Sequence, residues 1–228
     1  NGSNDILELA TQAFLRPGDE AVYSEHAFAV YPLATQARGG KGIAVPAREL
    51  GHNLPAMRAA ITSRTRMVFV ANPNNPTGTW LTPAAVRDFI ALVPPDVLVI
   101  LDEAYNEYLL PQQRANSASW IAEYPNLLIS RTFSKAYGLA GLRLGYALAS
   151  PDLAQAFDKV RNHFGVGRIV QAGGIGFGPA HHDEVEHPAV AADEVLPVRR
   201  IVAPAKKAHA LSDTEFGREG FELCTFVA

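Results

Sequence analysis

The sequence predicts an α/β fold, with three α/β/α layers built around a mostly parallel sheet. Short apolar runs that stop at turn residues are typical of buried strands, and amphipathic segments of helical periodicity alternate with them. The chain has 228 residues and is 48% hydrophobic. That is enough for one or at most two domains with a buried core.

The chain up to about residue 96 contributes two predicted helices and one strand. A helix follows the N-cap cluster Ser3, Asn4 and Asp5 and ends before Pro17. The continuous apolar run 67–71 predicts a buried strand. Thr82 and Pro83 then begin the second helix, as its N-cap and its first residue.

The chain from residue 97 onward adds three strands and one helix. The apolar runs 97–101, 127–129 and 142–149 predict buried strands. Ser150 and Pro151 begin a helix that we expect to run toward Phe164. Beyond about residue 172 frequent glycines and prolines favour short helices or loops.

Charge and cysteine content exclude several classes of protein. Lys plus Arg is 20 and Asp plus Glu is 23, so the net charge is −3 and no basic excess would attract a nucleic acid or an anionic membrane. The most apolar stretch, 90–101, is interrupted by prolines and is too short to span a bilayer. Cys224 is the single cysteine, which fits a reducing compartment. We therefore expect a cytoplasmic protein with small-molecule partners.

Polar side chains follow three of the predicted strands. The segments are 72–78 (Asn-Pro-Asn-Asn-Pro-Thr-Gly), 102–105 (Asp-Glu-Ala-Tyr) and 131–135 (Arg-Thr-Phe-Ser-Lys), with Arg143 shortly after. Because ligands of parallel sheets bind at the carboxyl ends of the strands, these groups are expected to meet at one edge.

This set of side chains is suited to one cofactor, pyridoxal 5'-phosphate. A lysine can form a Schiff base with an aldehyde, and a carboxylate can keep a pyridine nitrogen protonated. A phenol and an amide can bind a ring oxygen, while hydroxyls, an arginine and a helix N-terminus can hold a phosphate. Each residue alone has an ordinary interpretation as a turn, a cap or a surface charge. Their joint occurrence in this order favours the cofactor site.

The three segments resemble those of the fold-type I, class I/II aminotransferases, which depend on pyridoxal phosphate. Residues 1–9 resemble the phosphate-binding turn and helix of the histidinol-phosphate branch of that family, and residues 24–31 resemble its cofactor-stacking segment. The likeness covers about residues 1–172 and implies the large cofactor-binding domain of that fold.

The resemblance assigns a role to each candidate residue. Lys135, Asp102 and Tyr105 are implied to be catalytic: Lys135 as Schiff-base lysine and proton shuttle, Asp102 as partner of the pyridine nitrogen. The implied cofactor-binding residues are Ser3, Asn4, Phe28, Asn75, Asp102, Tyr105, Thr132, Ser134, Lys135 and Arg143. Among these, Phe28 would stack on the cofactor ring and the residues near Ser3, Thr132 and Arg143 would hold the phosphate.

The resemblance also implies a reaction: histidinol phosphate and 2-oxoglutarate give imidazole acetol phosphate and glutamate, a step of histidine biosynthesis. An aromatic amino-acid aminotransferase would use the same motifs. A fragment that binds the cofactor but lacks turnover is a further alternative. The family likeness implies a homodimer for the full-length form.

Two domains are expected, a cofactor-binding domain at 1–180 and a truncated or divergent start of a small C-terminal domain at 181–228. The family's N-terminal arm would precede residue 1, and its arginine for the substrate carboxylate is expected outside this chain. Arg199, Arg200 and Arg218 are interpreted as surface charges. We therefore expect cofactor binding with little turnover.

Two weaker signals are set aside. The segment 38–42 (Arg-Gly-Gly-Lys-Gly) lacks P-loop spacing and is expected to be a surface turn. The histidines at 181, 182 and 187 lack the spacing of a zinc motif, so no metal site is predicted.

Overall fold

The computed structural model describes residues 2–162, 165–167 and 170, together with the backbone of 224–227. The helices are α1 (Ser3–Phe14), α2 (Val30–Ala37), α3 (Leu54–Ala59), α4 (Pro83–Leu92) and α5 (Pro151–Asp158). The strands are β1 (Glu20–Ser24), β2 (Lys41–Val45), β3 (Thr65–Ala71), β4 (Leu98–Asp102), β5 (Leu127–Thr132), β6 (Gly145–Ala149) and β7 (Cys224–Val227). Short 3₁₀ helices lie at Asn106–Tyr108, Pro111–Gln113, Ser117–Ala122 and Ala140–Leu142.

The strands form one sheet in the order β2-β1-β3-β4-β5-β6-β7. The first five are parallel, while β6 and β7 are antiparallel to their neighbours. The predicted mostly parallel sheet is therefore confirmed. The register aligns Ala71 with Asp102 and Asp102 with Ser130, so the ends of β3, β4 and β5 lie side by side.

Helices cover both faces of the sheet, as the three-layer prediction requires. Alternate strand residues such as Val99 and Ile100 point to opposite faces. Val99 packs in a buried cluster with α3, α4 and the 3₁₀ helix Ser117–Ala122. Ile100 packs in a second cluster with α1, α2 and α5. Among the residues described, none of the helices combines the length and apolar character that crossing a bilayer requires.

Most element boundaries agree with the sequence, and the best defined is the start of α4. Thr82 caps it through its side-chain oxygen, which accepts a hydrogen bond from the Ala85 N–H at 3.2 Å, and Pro83 is its first residue. The predicted helix at the N-terminus corresponds to α1, but Ser3, Asn4 and Asp5 form its first turn rather than precede it, because Gly2 is the N-cap. Residues 38–40 form the surface turn that joins α2 to β2.

Two further predicted boundaries are wrong. The strand predicted at 142–149 begins only at Gly145, because Arg143 adopts a left-handed conformation with φ of 55° that a strand cannot continue. The helix predicted to run toward Phe164 ends at Asp158. Ser150 occupies the N-cap position, but its side chain makes no capping hydrogen bond. Its hydroxyl donates to the Pro125 carbonyl at 3.0 Å.

The proposed boundary near residue 180 stays a prediction. Residues 171–223, including Arg199, Arg200 and Arg218, lie outside the described residues. The strand β7 pairs with β6 at the edge of the large sheet, with Tyr146 aligned to Val227.

Candidate active site

The ten residues predicted for the cofactor site line one cleft at the carboxyl edge of the sheet. The cleft encloses about 600 Å³ including its open mouth. Its lining comprises Ser3, Asn4, Phe28, Asn75, Asp102, Tyr105, Thr132, Ser134, Lys135 and Arg143, together with Tyr31, Ala71, Pro73 and Ala104. The sheet therefore brings together side chains that are up to 140 positions apart in the sequence.

Asp102 is the buried acid of the cleft. It ends β4 and is 6% exposed. Its Oδ2 accepts a hydrogen bond from the Tyr31 hydroxyl at 2.8 Å, and its Oδ1 accepts one from the Ala104 N–H at 3.2 Å. Burial raises the pKa of Asp102 above its usual range, and these two hydrogen bonds oppose that rise. The site thus holds a carboxylate that gains from a cationic partner.

Among the described residues, Tyr31 is the one lining residue with a polar side-chain group to which the sequence analysis assigned no role. It lies in the first turn of α2, is fully buried and stacks on Phe69 with ring centroids 4.5 Å apart. A signal existed in the sequence, because Tyr31 follows the predicted stacking residue Phe28 by three positions, the spacing that brings side chains together on a helix. Their rings meet edge to face at 6.0 Å.

An anion cradle lies at one end of the cleft, between the N-terminus of α1 and Arg143. Gly2 is the N-cap with φ of 84°, and no side chain caps the helix. A Cβ at Gly2 would lie 3.2 Å from the Arg143 guanidinium and 3.9 Å from the Ser134 hydroxyl. Helix N-terminal N–H groups, a hydroxyl and a guanidinium together form a site suited to a phosphate.

Gly145 places this cradle against the sheet. It begins β6 and aligns with Thr132 of β5. A Cβ at this position would collide with the backbone of Gly2 and Ser3. The missing side chain of Gly145 therefore allows the start of α1 to rest directly on the strand.

Lys135 lies in the loop after β5, with its side chain exposed to the open cleft. Its Nζ is 5.3 Å from the centroid of the Tyr105 ring, a cation–π distance. The Ser134 N–H donates to the Thr132 hydroxyl at 3.1 Å, which fixes the start of the loop. The lysine amine thus lies beside the phenol ring that lines the cleft.

The loop after β3 places Asn75 in the cleft, because hydrogen bonds hold the neighbouring residues in position. The Asn72 side chain accepts from the Leu81 N–H at 2.8 Å and donates to the Leu81 carbonyl at 3.1 Å. The Asn74 amide donates to the His26 carbonyl and to the Thr77 hydroxyl, both at 2.8 Å. Of the three asparagines in this segment, Asn72 and Asn74 therefore stabilise the loop, and Asn75 lines the cleft.

A buried ion pair supports the same strand ends from the opposite face of the sheet. The Arg131 guanidinium donates to Glu103 at 2.7 and 2.8 Å, and the Ser117 hydroxyl donates to the other Glu103 oxygen at 2.7 Å. Burial alone would lower the pKa of Arg131, but Glu103 and Tyr146 hold it above its usual range. Because Glu103 follows Asp102 and Arg131 precedes Thr132, the pair joins the strand ends that carry two lining residues.

No metal site contributes to the cleft as far as the structure describes the chain. Within residues 2–162, 165–167 and 170 no group of three potential ligands among His, Cys, Asp and Glu could hold a metal ion. The histidines at 181, 182 and 187 lie outside the described residues.

The fold and the cleft agree with comparisons to known proteins. Residues 1–175 match the model of aminotransferase class I and II. The chain therefore belongs to this family, and the predicted family membership is confirmed.

Its relatives with high identity are histidinol-phosphate aminotransferases. The chain is 61% identical over 175 residues to one from Methylobacillus flagellatus and 57% identical to a second from Ralstonia nicotianae, in each case over 77% of this chain and 47% of the relative. The crystal structure of histidinol-phosphate aminotransferase from Sinorhizobium meliloti in complex with pyridoxal-5'-phosphate is 36% identical with a TM-score of 0.71, covering 74% of this chain and 46% of that one. The chain spans about half the length of the curated relatives it matches.

Proposed function

We propose that this protein is a pyridoxal-phosphate-dependent transaminase that moves the amino group of histidinol phosphate to 2-oxoglutarate. The observation that carries the proposal is the cleft itself, in which a buried carboxylate, a lysine amine and an anion cradle face one another. Histidinol phosphate is favoured as amino donor because relatives at 52–61% identity are named for it. The proposal includes a role in histidine biosynthesis in the cytoplasm.

The residues present fit pyridoxal phosphate at each of its functional groups. The cradle formed by Gly2, Ser134 and Arg143 has the space and the donors for the phosphate. Asp102 is a buried acceptor that gains from a protonated ring nitrogen. Asn75 and Tyr105 line the cleft and carry groups that can donate to the ring oxygen, and Phe28 offers an aromatic surface for stacking.

When bound, the protonated pyridine ring would supply an electron sink for the charge that develops at the substrate α-carbon. Asp102 would keep the proton on the ring nitrogen. Lys135 Nζ would bind the aldehyde carbon of the cofactor, and its free amine would accept and return the proton of the substrate α-carbon as a general base. Arg143, Ser134 and the first N–H groups of α1 anchor the phosphate throughout, which fixes the ring relative to Lys135.

We extend the proposal to a homodimer of the full-length form. Three large side chains, Trp80, Tyr108 and Leu110, are exposed on the segments that follow β3 and β4. Tyr108 contacts Tyr105 of the cleft with ring centroids 6.0 Å apart. Apolar groups at this edge favour a partner that covers them. Sedimentation should give twice the monomer mass, and Tyr108→Ser should weaken the association.

A single-turnover reaction tests the substrate. The chain is loaded with pyridoxal phosphate, and the loss of the bound-cofactor absorbance is followed after addition of histidinol phosphate or phenylalanine. We expect a clear preference for histidinol phosphate and no reaction of either donor with Lys135→Ala. A preference for phenylalanine would favour the aromatic aminotransferase instead, and binding without reaction would favour the cofactor-binding fragment. The ratio of the two rates is informative even if turnover is slow.

A further inference from the structure

The contact between Tyr31 and Asp102 joins two elements that are distant in sequence. Tyr31 belongs to α2 and Asp102 ends β4, 71 positions later. The phenol donates to Asp102 Oδ2 at 2.8 Å, and both side chains are buried, with exposures of 0% and 6%. A hydrogen bond to a charged group in such a place is stronger than one in water.

The surroundings of Tyr31 fix its hydroxyl in this position. One face of the ring lies on Phe69 with an interplanar angle of 11°, and Phe28 meets the ring at 88°. The Tyr31 carbonyl accepts a hydrogen bond from the Thr35 hydroxyl at 2.7 Å. Since the ring is packed on several sides, its hydroxyl has little freedom to leave Asp102.

Four groups act on the ionisation of Asp102 besides burial. Burial raises the pKa of Asp102, the Tyr31 hydroxyl and the Ala104 N–H lower it, Glu103 raises it and Lys135 lowers it. Of the groups that favour the charged form, the Tyr31 hydroxyl lowers the pKa of Asp102 the most. It also touches one oxygen only, which leaves the remaining lone pairs of the carboxylate available to the cleft.

We propose that Tyr31 is a positioning residue, whose hydroxyl holds Asp102 ionised and oriented so that the proton shared with a bound pyridine stays on the ring nitrogen. The proposal rests on the cofactor named under the proposed function. In this arrangement Tyr31 keeps its own proton, and the shared proton lies between Asp102 and the ring. Without the hydroxyl, Asp102 would be a stronger base and would compete more strongly with the ring nitrogen for that proton.

The first measurement uses the full chain without cofactor. The side-chain carboxyl of Asp102 is titrated by ¹³C NMR, with Asp102→Asn to assign its signal. In Tyr31→Phe the pKa of Asp102 should rise by about one pH unit or more. The reason is that losing a hydrogen bond to the charged carboxylate changes its acid dissociation constant by roughly tenfold. Tyr23→Phe is the matched control, because Tyr23 is a second buried tyrosine of the same cluster that lies outside the cleft lining. It should leave the titration unchanged.

The second measurement compares the affinities for pyridoxal phosphate and for its benzene analogue, which lacks the ring nitrogen. Tyr31→Phe should reduce the preference for the pyridine compound by about tenfold. It should add no further loss to Asp102→Asn, because its effect passes through Asp102. Tyr23→Phe should keep the wild-type preference.

The outcomes separate the two proposals. An unchanged Asp102 titration in Tyr31→Phe, or an equal effect of Tyr23→Phe, would overturn the role of Tyr31. If the wild-type chain binds neither compound, the proposed function is wrong. The inference that Tyr31 keeps a proton on a bound pyridine nitrogen is then wrong as well. The titration then still decides whether Tyr31 controls Asp102.

Discussion

Asp102 carries its charge at a position where burial disfavours it. A buried carboxylate is tolerated when hydrogen bonds and an opposite charge compensate it. In the protein without cofactor, Tyr31 and Ala104 supply the hydrogen bonds, and the pKa of Asp102 is still raised. The buried charge of Asp102 therefore lowers the stability of the fold, and it provides a carboxylate that a cationic ligand could bind.

The first prediction concerns this loss of stability. The pKa of Asp102 is raised above 3.8 in the folded state, so the folded protein binds more protons there than the unfolded chain, and stability falls as the pH rises through this window. Asp102→Asn removes the titration but keeps an acceptor for Tyr31. Between about pH 4 and about pH 8, urea unfolding should show the cofactor-free wild type losing stability relative to Asp102→Asn. A constant difference across this range would contradict the raised pKa.

The second prediction separates the roles of Asp102 and Arg143. Asp102→Asn should slow the exchange of the amino donor's α-proton by on the order of a hundredfold, because charge stabilisation acts mainly on the transition state. Arg143→Ala should instead weaken cofactor binding by about tenfold to a hundredfold, since a phosphate contact contributes to binding throughout the reaction. Deuterium exchange and cofactor titration measure the two effects. If both variants lose only affinity, the division of roles is wrong.

At the scale of elements, the site depends on how closely α1 approaches β6. The helix begins at Ser3 directly on Gly145, and the same helix end forms one wall of the anion cradle. Steric exclusion explains the glycine at position 145, because any side chain there would collide with the backbone of Gly2 and Ser3, which cannot rotate away.

The third prediction tests this approach. Gly145→Ala should displace the start of α1 and lower the affinity for pyridoxal phosphate by about tenfold, the value of one or two contacts to a charged group. Affinity for pyridoxal, which lacks the phosphate, should change much less. Gly141→Ala is the control, because a Cβ there would have no neighbour within 4 Å. Equal losses for both ligands in Gly145→Ala would argue against a phosphate at the α1 terminus.

At the scale of the whole molecule, the sequence predicts those features that have a local cause. The buried strands β3, β4 and β5 are continuous apolar runs, and the residues that follow them converge because the strands are parallel. Thr82 and Pro83 mark a helix start through cap chemistry that operates within one turn.

Features with a long-range cause escaped the sequence analysis. Tyr31 reaches Asp102 only because α2 packs on the face of the sheet beneath the end of β4. The late start of β6 depends on the left-handed conformation of Arg143. An arginine in the sequence gives no indication that its backbone will adopt this conformation. The role of Gly145 likewise depends on a contact with a helix that begins 142 residues earlier.

The cofactor attached to Lys135 is the central claim, and its position can be measured directly. The chain is incubated with pyridoxal phosphate, reduced with borohydride, digested and mapped by mass spectrometry. The label should be found on Lys135, should be lost in Lys135→Ala and should be retained in Lys159→Ala, where Lys159 lies at the end of α5. Label on another lysine, or no label on the wild-type chain, would contradict attachment at Lys135.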